Sequence, residues 1–279
     1  MRPLPQQIEK PALYIVATPI GNLGDITYRA IDILSSVDFI LCEDTRQTVK
    51  LLNAYGIKNE LVSHHKFNEH KKLETIFSRF NKGEAAALVS DAGTPLVCDP
   101  GNVLVKSAIA AGVPVFSVPG PCSVISALTL SGFELGSFEF RGFLPKKKSA
   151  MRETIRDAAN SGMASAILVS VHNLKNALLA INDICPGRQI ALAKEMTKIH
   201  ETVYRGTAIE LMELEDFKGE FVLTLEGQAL GNQTASDEQL KAEIDELAQS
   251  MTVNEALKIV AAKHGIKKNR LYDLAKLNG

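Results

Sequence analysis

Residues 89–101 read VSDAGTPLVCDPG, and this stretch decides the fold. It follows AAALV (residues 85–89), an apolar run of strand length, and it leads into NVLVKSAIAA (102–111), a helix-like segment. A strand ending in Ser90-Asp91-Ala92-Gly93-Thr94-Pro95 delivers a carboxylate, a bend and bare backbone to the carboxyl edge of a sheet. That edge is where open α/β sheets bind ligands. Ala92 and Gly93 let a ligand approach the main chain closely, and Pro95 stiffens the exit. A tight strand-to-helix turn with no function would use the same residues, so the weight rests on whether similar loops recur.

They recur twice in the first half. LYIVA (13–17) reads as a strand and runs into Thr18-Pro19-Ile20-Gly21-Asn22-Leu23-Gly24-Asp25, followed by an amphipathic helix over 26–34. This turn is not GxGxxG and no Walker lysine follows its glycines, so a less charged ligand needing backbone contacts fits better than a phosphate. A strand over 113–118 runs into Pro119-Gly120-Pro121-Cys122-Ser123 and a helix over 124–130. Proline beside a small polar residue suits a helix start that offers N–H groups, and Cys122 reads as a small packed residue. Strands alternating with helices predict a parallel sheet whose special loops converge at one edge. Another strand, 37–42, ends in Glu43-Asp44-Thr45-Arg46. This is either a helix start favoured by acids or a polar cluster facing the cleft. Helices are expected over 47–55 and 71–80.

At 279 residues with 46% apolar content, the chain is long enough for two domains of ordinary size. Its net charge of −1 leaves any nucleic-acid contact to local patches. Cys42, Cys98, Cys122 and Cys185 form no CxxC, which argues for a reducing compartment and against a zinc or disulfide framework. The first residues, MRPLPQQIEKP, lack a signal-peptide apolar core, and no run is long enough to span a bilayer, so a soluble cytoplasmic protein is expected. Ser63-His64-His65-Lys66-Phe67-Asn68-Glu69-His70 holds three histidines. Adjacent His64 and His65 would point opposite ways on a strand and no acid or cysteine completes a ligand set. A loop presenting polar side chains to a substrate is the better reading, with no metal.

FEFRGFLP (138–145) changes the character of the chain, and Lys146, Lys147, Lys148, Arg152 and Arg156 follow. These are either a solvated basic helix start or a phosphate-contacting patch whose affinity for RNA would fall with salt. A second α/β half then has strands over 164–169, 188–194 and 221–226, a helix over 174–184 and another from Ala208. Residues 227–238 read as a linker. Beyond them an acidic segment gives way to a basic one holding Lys258, Lys263, Lys267, Lys268, Arg270 and Lys276. Helices over 252–263 and 268–276 suggest a helix-turn-helix or a capping hairpin with solvated lysines. The expected organisation is an α/β domain over 12–120, a second over 121–228, and a linker with a basic helical tail over 229–279.

TPIGNLGDIT, EDTR, VSDAGTPLVCDPG, PGPCS, GFLP, KEMTK, KGEFVLTLEG and HGIKKNRLYDLA, in this order, closely resemble the ribosomal small-subunit methyltransferase I family, whose members look like tetrapyrrole methylases adapted to RNA. The resemblance runs from about Leu13 to Lys276. It implies two α/β domains with the cofactor in the cleft between them, a homodimer, and an S-adenosylmethionine-dependent 2′-O-methyltransferase. The implied target is a cytidine ribose in the decoding centre of 16S rRNA. It also implies cofactor contacts at Pro19, Ile20 and Gly21, at Asp91, Ala92, Gly93 and Thr94, and at Pro121, Cys122 and Ser123. In the second half the implied contacts are Leu168, Val169, Ala193, Gly206 and Thr207. Two departures stand out. The family's Tyr-Glu-Ser segment ending in His-Arg becomes Leu168-Val169-Ser170-Val171-His172-Asn173, and its His-x-His-Asn-Glu becomes His65-Lys66-Phe67-Asn68-Glu69.

Methyl transfer to a ribose hydroxyl needs the oxygen aligned and its proton removed. Glu43, Asp44, His65, Glu69 and Glu195 are candidate proton acceptors, and Arg46, Lys194 and Lys198 candidate positioners of phosphate or alkoxide. The EDTR cluster leads because it ends a strand beside the cofactor loops. Two other readings compete: a tetrapyrrole C-methyltransferase, which would need no basic patch, and a ribosome-binding factor that lost catalysis through the two departures.

Overall fold

The computed structural model describes residues 8–66, 68–214, 219–228, 237–249, 251–264 and 271–272. They fall into two compact units, one built from Met1–Ala159 and Met163–Glu226, the other from Asn160–Gly162 and Gly227–Gly279.

The first unit opens with β1 (Ala12–Val16), α1 (Tyr28–Ser36), β2 (Phe39–Cys42), α2 (Thr45–Ala54), β3 (Leu61–Ser63), α3 (Glu69–Asn81), β4 (Ala85–Val89), α4 (Asn102–Ala110) and β5 (Val115–Val118). The five strands form one all-parallel sheet in the order β3-β2-β4-β1-β5. The run AAALV is therefore the central strand. Its Ala85, Ala87 and Val89 pack into a core with α1 residues such as Ile33 and Leu34. Ala86 and Leu88 face the opposite core, with Ile76 and Phe80 of α3 and Leu104 of α4. A strand buried on both faces reads as a continuous apolar run for this reason. Every carboxyl end in a parallel sheet lies at the same edge, so the special loops share one rim.

The chain then continues through α5 (Ser123–Ser131), β6 (Phe138–Phe143), α6 (Lys148–Asn160), β7 (Ala164–Val169), α7 (Val171–Ile184), β8 (Gln189–Lys194), β9 (Thr202–Thr207), α8 (Ala208–Leu211) and β10 (Phe221–Leu225). Here the sheet is mixed, in the order β6-β7-β10-β8-β9. β10 runs antiparallel between β7 and β8, and β8 pairs with β9 as an antiparallel ribbon. α5 packs against β7, β8 and β10, so the PGPCS loop is the crossover from the first sheet to the second. β3, β6 and β9 were not expected as strands. They are edge strands carrying polar residues, and edge strands lack the apolar run that marks buried ones.

In the second unit α9 (Asp237–Leu247) packs on α10 (Val253–His264). Leu240, Ile244, Ala256, Leu257, Val260 and Leu271 form its core. The first of the two expected tail helices corresponds to α10. Most of the second, with Lys267, Lys268, Arg270 and Lys276, lies outside the described residues, as does most of the expected linker. No helix among the described residues is long and apolar enough to cross a membrane.

Candidate active site

Backbone hydrogen bonds lock the three loops together. Thr18 N donates to Gly93 O at 2.9 Å, and Gly93 N donates to Thr18 O at 3.0 Å, bridging the first loop to the second. Thr18 Oγ1 donates to Ser90 O at 3.2 Å and Ser90 Oγ to Gly93 O at 3.0 Å. Thr94 Oγ1 donates to Pro121 O at 3.0 Å, tying the second loop to the third. Gly93 sits at φ +81°, where a Cβ would stand 3.1 Å from Ile20 Cγ2. A side chain here is strained by the backbone conformation and would press on Ile20.

The loops also reach the second sheet. A Cβ on Gly21 would lie 2.7 Å from Lys198 Cγ, 2.8 Å from Thr197 Oγ1 and 3.0 Å from Met196 O. The contacted segment joins β8 to β9 and holds Glu195 at φ +50° and Thr197 at φ +66°. Two non-glycine residues in the left-handed region make this a strained loop, and such strain gathers at functional sites. Buried Thr197 Oγ1 has no partner among the described residues.

Between the rim of the first sheet and the face of the second lies a cavity of about 530 Å³. Ile20, Ala92 and Ser123 come from the three loops, and Leu168, Val169, Met196, Phe221 and Val222 form an apolar wall. The N-terminus of α7, Ser170-Val171-His172, opens onto it, and Ser123 begins α5 there. Two helix starts thus bring unsatisfied N–H groups to one space. A smaller cavity of about 120 Å³ is lined by Gly93, Thr94, Asp99 and Cys122, and it shares Ala92, Ser123, Leu168 and Phe143 with the larger.

The expected cofactor residues separate into three groups. Ile20, Ala92, Ser123, Leu168 and Val169 line the large cavity, and Gly93, Thr94 and Cys122 the small one. Pro19, Gly21, Asp91 and Pro121 belong to the loops that shape the rim, while Ala193 is buried behind it, packed with Met196 and Val222. Gly206 and Thr207 are elsewhere. Their partners on β8 are Ile190 and Gln189, at the opposite end of that strand from Ala193, and the Thr207 hydroxyl donates to Glu210 Oε2 at 2.8 Å in a capping box for α8. Phe143, Ser170, Val171, His172, Met196 and the run 219–222 line the cavity without having been expected as contacts.

The candidate proton acceptors separate just as clearly. Asp44 caps α2, accepting from Arg46 N at 2.8 Å, and its Oδ2 pairs with Arg46 Nη2 at 2.7 Å. The guanidinium holds its carboxyl down to about 2, so Asp44 is a weak base. Arg46 points into solvent, 86% exposed. Glu69 is buried at the start of α3, and its Oε1 accepts from Gly101 N and Val103 N, each at 3.0 Å. Glycine at the cap of α4 has no side chain to satisfy those donors, so Glu69 caps the helix from 32 residues away. That moves Glu69 from the candidate bases to the scaffold. His65 is held by Asn68, which donates to its Nε2 at 3.2 Å. His64 is fully buried beside Glu69, and burial lowers its pKa. Glu195 accepts from Glu220 N at 2.8 Å, which, with Lys198 at 3.3 Å, lowers its pKa. Lys194, also a candidate positioner, is buried at the end of β8. Glu43 is exposed.

Asp99, which the sequence reading passed over, differs from all of these. Burial pushes its carboxyl up, and the charges of Glu43 and Asp91 push it further, with the nearby Ser90 hydroxyl opposing them. Its motif partner Asp91 accepts from Asp44 N at 3.2 Å, which joins EDTR to the SDAGTP loop. No group of three His, Cys, Asp or Glu suited to an ion occurs among the described residues.

Residues 12–212 match the model of the tetrapyrrole (corrin/porphyrin) methylases. The chain is 42% identical to the ribosomal RNA small subunit methyltransferase I of Vibrio cholerae over 94% of its length and 93% of the relative's. It is 41% identical to the protein of the same name from Haemophilus influenzae, over 93% and 94%. Among solved structures, a uroporphyrin-III C-methyltransferase from Thermus thermophilus superposes with a TM-score of 0.55 at 19% identity, covering 77% of this chain and 94% of that one. A diphthine synthase superposes with a TM-score of 0.59 at 13% identity, over 77% and 90%. These last two share the fold.

Proposed function

Because this chain belongs to the tetrapyrrole methylase family, in its ribosomal RNA small subunit methyltransferase I branch, we propose that it transfers a methyl group from S-adenosylmethionine to the 2′-oxygen of a cytidine ribose in the decoding centre of 16S rRNA. It acts as a cytoplasmic homodimer, as the family resemblance implies. The observation that carries the reading is the 530 Å³ cavity where three interlocked loops meet an apolar wall. Its size suits a nucleoside-sized ligand, its small residues bare the main chain, and the starts of α5 and α7 offer N–H groups to a carboxylate. Ala92, Gly93, Ser123, Leu168, Val169 and Val222 would hold the cofactor, which supplies a methyl carbon already activated by its sulfonium.

What remains for the protein is to align the ribose oxygen and take its proton. Asp99 is the proton acceptor this reading favours. A carboxylate whose proton affinity is raised is a better base near neutrality than one held down by a cation. Asp44 and Glu195 are held down and Glu69 is engaged in capping. The 42% identity to a small-subunit methyltransferase over nearly the whole chain supports rRNA over a porphyrinoid, which has the broad family match and a structural likeness at 19% identity on its side.

The test is methyl transfer from labelled S-adenosylmethionine to small subunits from cells lacking this chain, followed by mapping of the modified ribose. A single 2′-O-methylcytidine at the decoding centre is the expected product. Label on another nucleotide would mean that the changes at 168–173 and 65–69 redirect the target. Cofactor binding without transfer would favour a catalytically impaired ribosome-binding protein.

A further inference from the structure

β6 does not run straight. Its register with β7 breaks between Phe140, opposite Ala166, and Phe143, opposite Leu168. Gly142, at φ +68°, sits inside the irregularity. A bulge of this kind re-aims a side chain, and bulges gather beside active sites. The side chain re-aimed here is Phe143. It lines both cavities, yet 66% of its surface is exposed. The next residue anchors it: Leu144 is buried, and its N–H donates to Leu168 O at 2.9 Å. An aromatic ring on a rigid support, largely in water at a cavity rim, forgoes the burial that favours a phenylalanine side chain. Immediately after it come Pro145 and the exposed Lys146, Lys147 and Lys148. Arg141, on the other side, is engaged by Glu139 and Asp157 O, so the free positive charge lies on the lysine side.

We propose that Phe143 is a stacking platform for one nucleobase of single-stranded RNA at the cavity mouth, with Lys146, Lys147 and Lys148 meeting the phosphates beside it. This rests on the RNA substrate proposed above. Sequence-tolerant base binding to single strands uses this combination of a bare aromatic face and adjacent cations. The ring's position supports a base over the cofactor. The wall of the cavity is Leu168, Val169, Met196, Phe221 and Val222, each more enclosed than Phe143. A platform at the mouth can hold a base while its ribose reaches inward towards Asp99.

The test uses the full chain and two readouts. The first is the affinity for a fluorescein-labelled, cytidine-containing single-stranded oligoribonucleotide, measured by anisotropy with S-adenosylhomocysteine present. The second is the affinity for S-adenosylmethionine alone, by calorimetry. Phe143→Leu should weaken the oligonucleotide by about ten-fold or more, the scale of one base–aromatic stack, and leave the cofactor within about two-fold. Phe143→Trp should restore oligonucleotide binding. Lys147→Gln should flatten the salt dependence with no change in cofactor affinity. Equal oligonucleotide affinity for Phe143→Leu and wild type, or no measurable binding by wild type, would overturn the platform. So would a matching loss of cofactor affinity, which would assign the ring to the cofactor. Because anisotropy needs no turnover, failure of methyl transfer alone would count against the proposed reaction and leave the platform standing.

Discussion

The two sheets of the first unit build one cavity by opposite means. The parallel sheet contributes turns: its loops meet through main-chain hydrogen bonds between Thr18 and Gly93 and through Thr94 to Pro121. The mixed sheet contributes surface: Leu168, Val169, Phe221 and Val222 stand in register across β7 and β10 and form a wall. The parallel half is thus specified by residues that few alternatives can replace, and the mixed half by residues that many apolar side chains could approximate. Substitutions should then be severe and local in the first half, and graded in the second.

The sharpest break of this contrast is at Gly93. Valine there combines a left-handed backbone, φ +81°, with a methyl-bearing Cβ 3.1 Å from Ile20. Strain of about 1–3 kcal/mol plus the clash should reduce S-adenosylmethionine affinity at least about a hundred-fold by calorimetry. Gly93→Ala keeps the fold in reach and should fall in between. By contrast, Val222→Ala on the wall should cost only a few-fold. Equal losses at the two positions would refute the division. Gly21→Ala comes next, since its Cβ would meet Lys198 Cγ, Thr197 Oγ1 and Met196 O. Thr197 Oγ1 is buried and Lys198 is held by Glu195 and Glu220, so a loss of roughly ten-fold in affinity with a lowered melting temperature is expected.

The same contrast explains what could be read from the sequence. TPIGN, SDAGTP and PGPCS were legible because each turn is made by adjacent residues whose backbone demands are printed in the string. The wall was legible only in part. Leu168 and Val169 end a plain apolar strand, but Phe221 and Val222 reach them through an antiparallel register across some fifty residues, and nothing local announces that pairing. β6 and β9 were not read as strands because FEFRGF and TVYRGT carry charges and a glycine within edge strands. Gly206 and Thr207 resembled a cofactor site, whereas Thr207 with Glu210 is a capping box, a signature that was present in the string. Glu69 resembled a base because no sequence window shows that Gly101, far along the chain, leaves a helix uncapped.

Glu69 therefore offers a test of scaffold against chemistry. Glu69→Ala leaves the N–H groups of Gly101 and Val103 without their acceptor and opens space beside buried His64. Losing a helix cap costs about 0.5–2 kcal/mol, and the burial of these donors places the expectation near the upper end, measurable by urea unfolding. Glu69→Gln keeps an acceptor oxygen and should recover most of it. At saturating substrates, kcat per folded molecule should change less than about three-fold in either variant. A loss of several hundred-fold in kcat from Glu69→Gln, with stability intact, would return Glu69 to the chemistry.

The smallest effect is the one that Glu43→Gln exerts through Asp99. Its carboxyl is raised first by burial and then by Glu43 and Asp91, so the folded chain holds this proton to higher pH than the unfolded one. Stability contributed through this group is therefore present at low pH and is lost as pH rises through the folded value, while basicity appears over the same interval. The acidic limb of kcat should accordingly lie above the ordinary carboxylate range. Glu43→Gln removes one exposed negative charge and lowers the proton affinity of Asp99, so the limb should move to lower pH. Activity at pH 7 should stay within about two-fold, since one exposed charge is worth about 0–1 kcal/mol. Asp99→Asn should abolish the limb together with most of kcat. A limb that stays in place in Glu43→Gln, or moves to higher pH, would show that a group other than Asp99 takes the proton. The search would then pass to His65, whose ring is already oriented by Asn68.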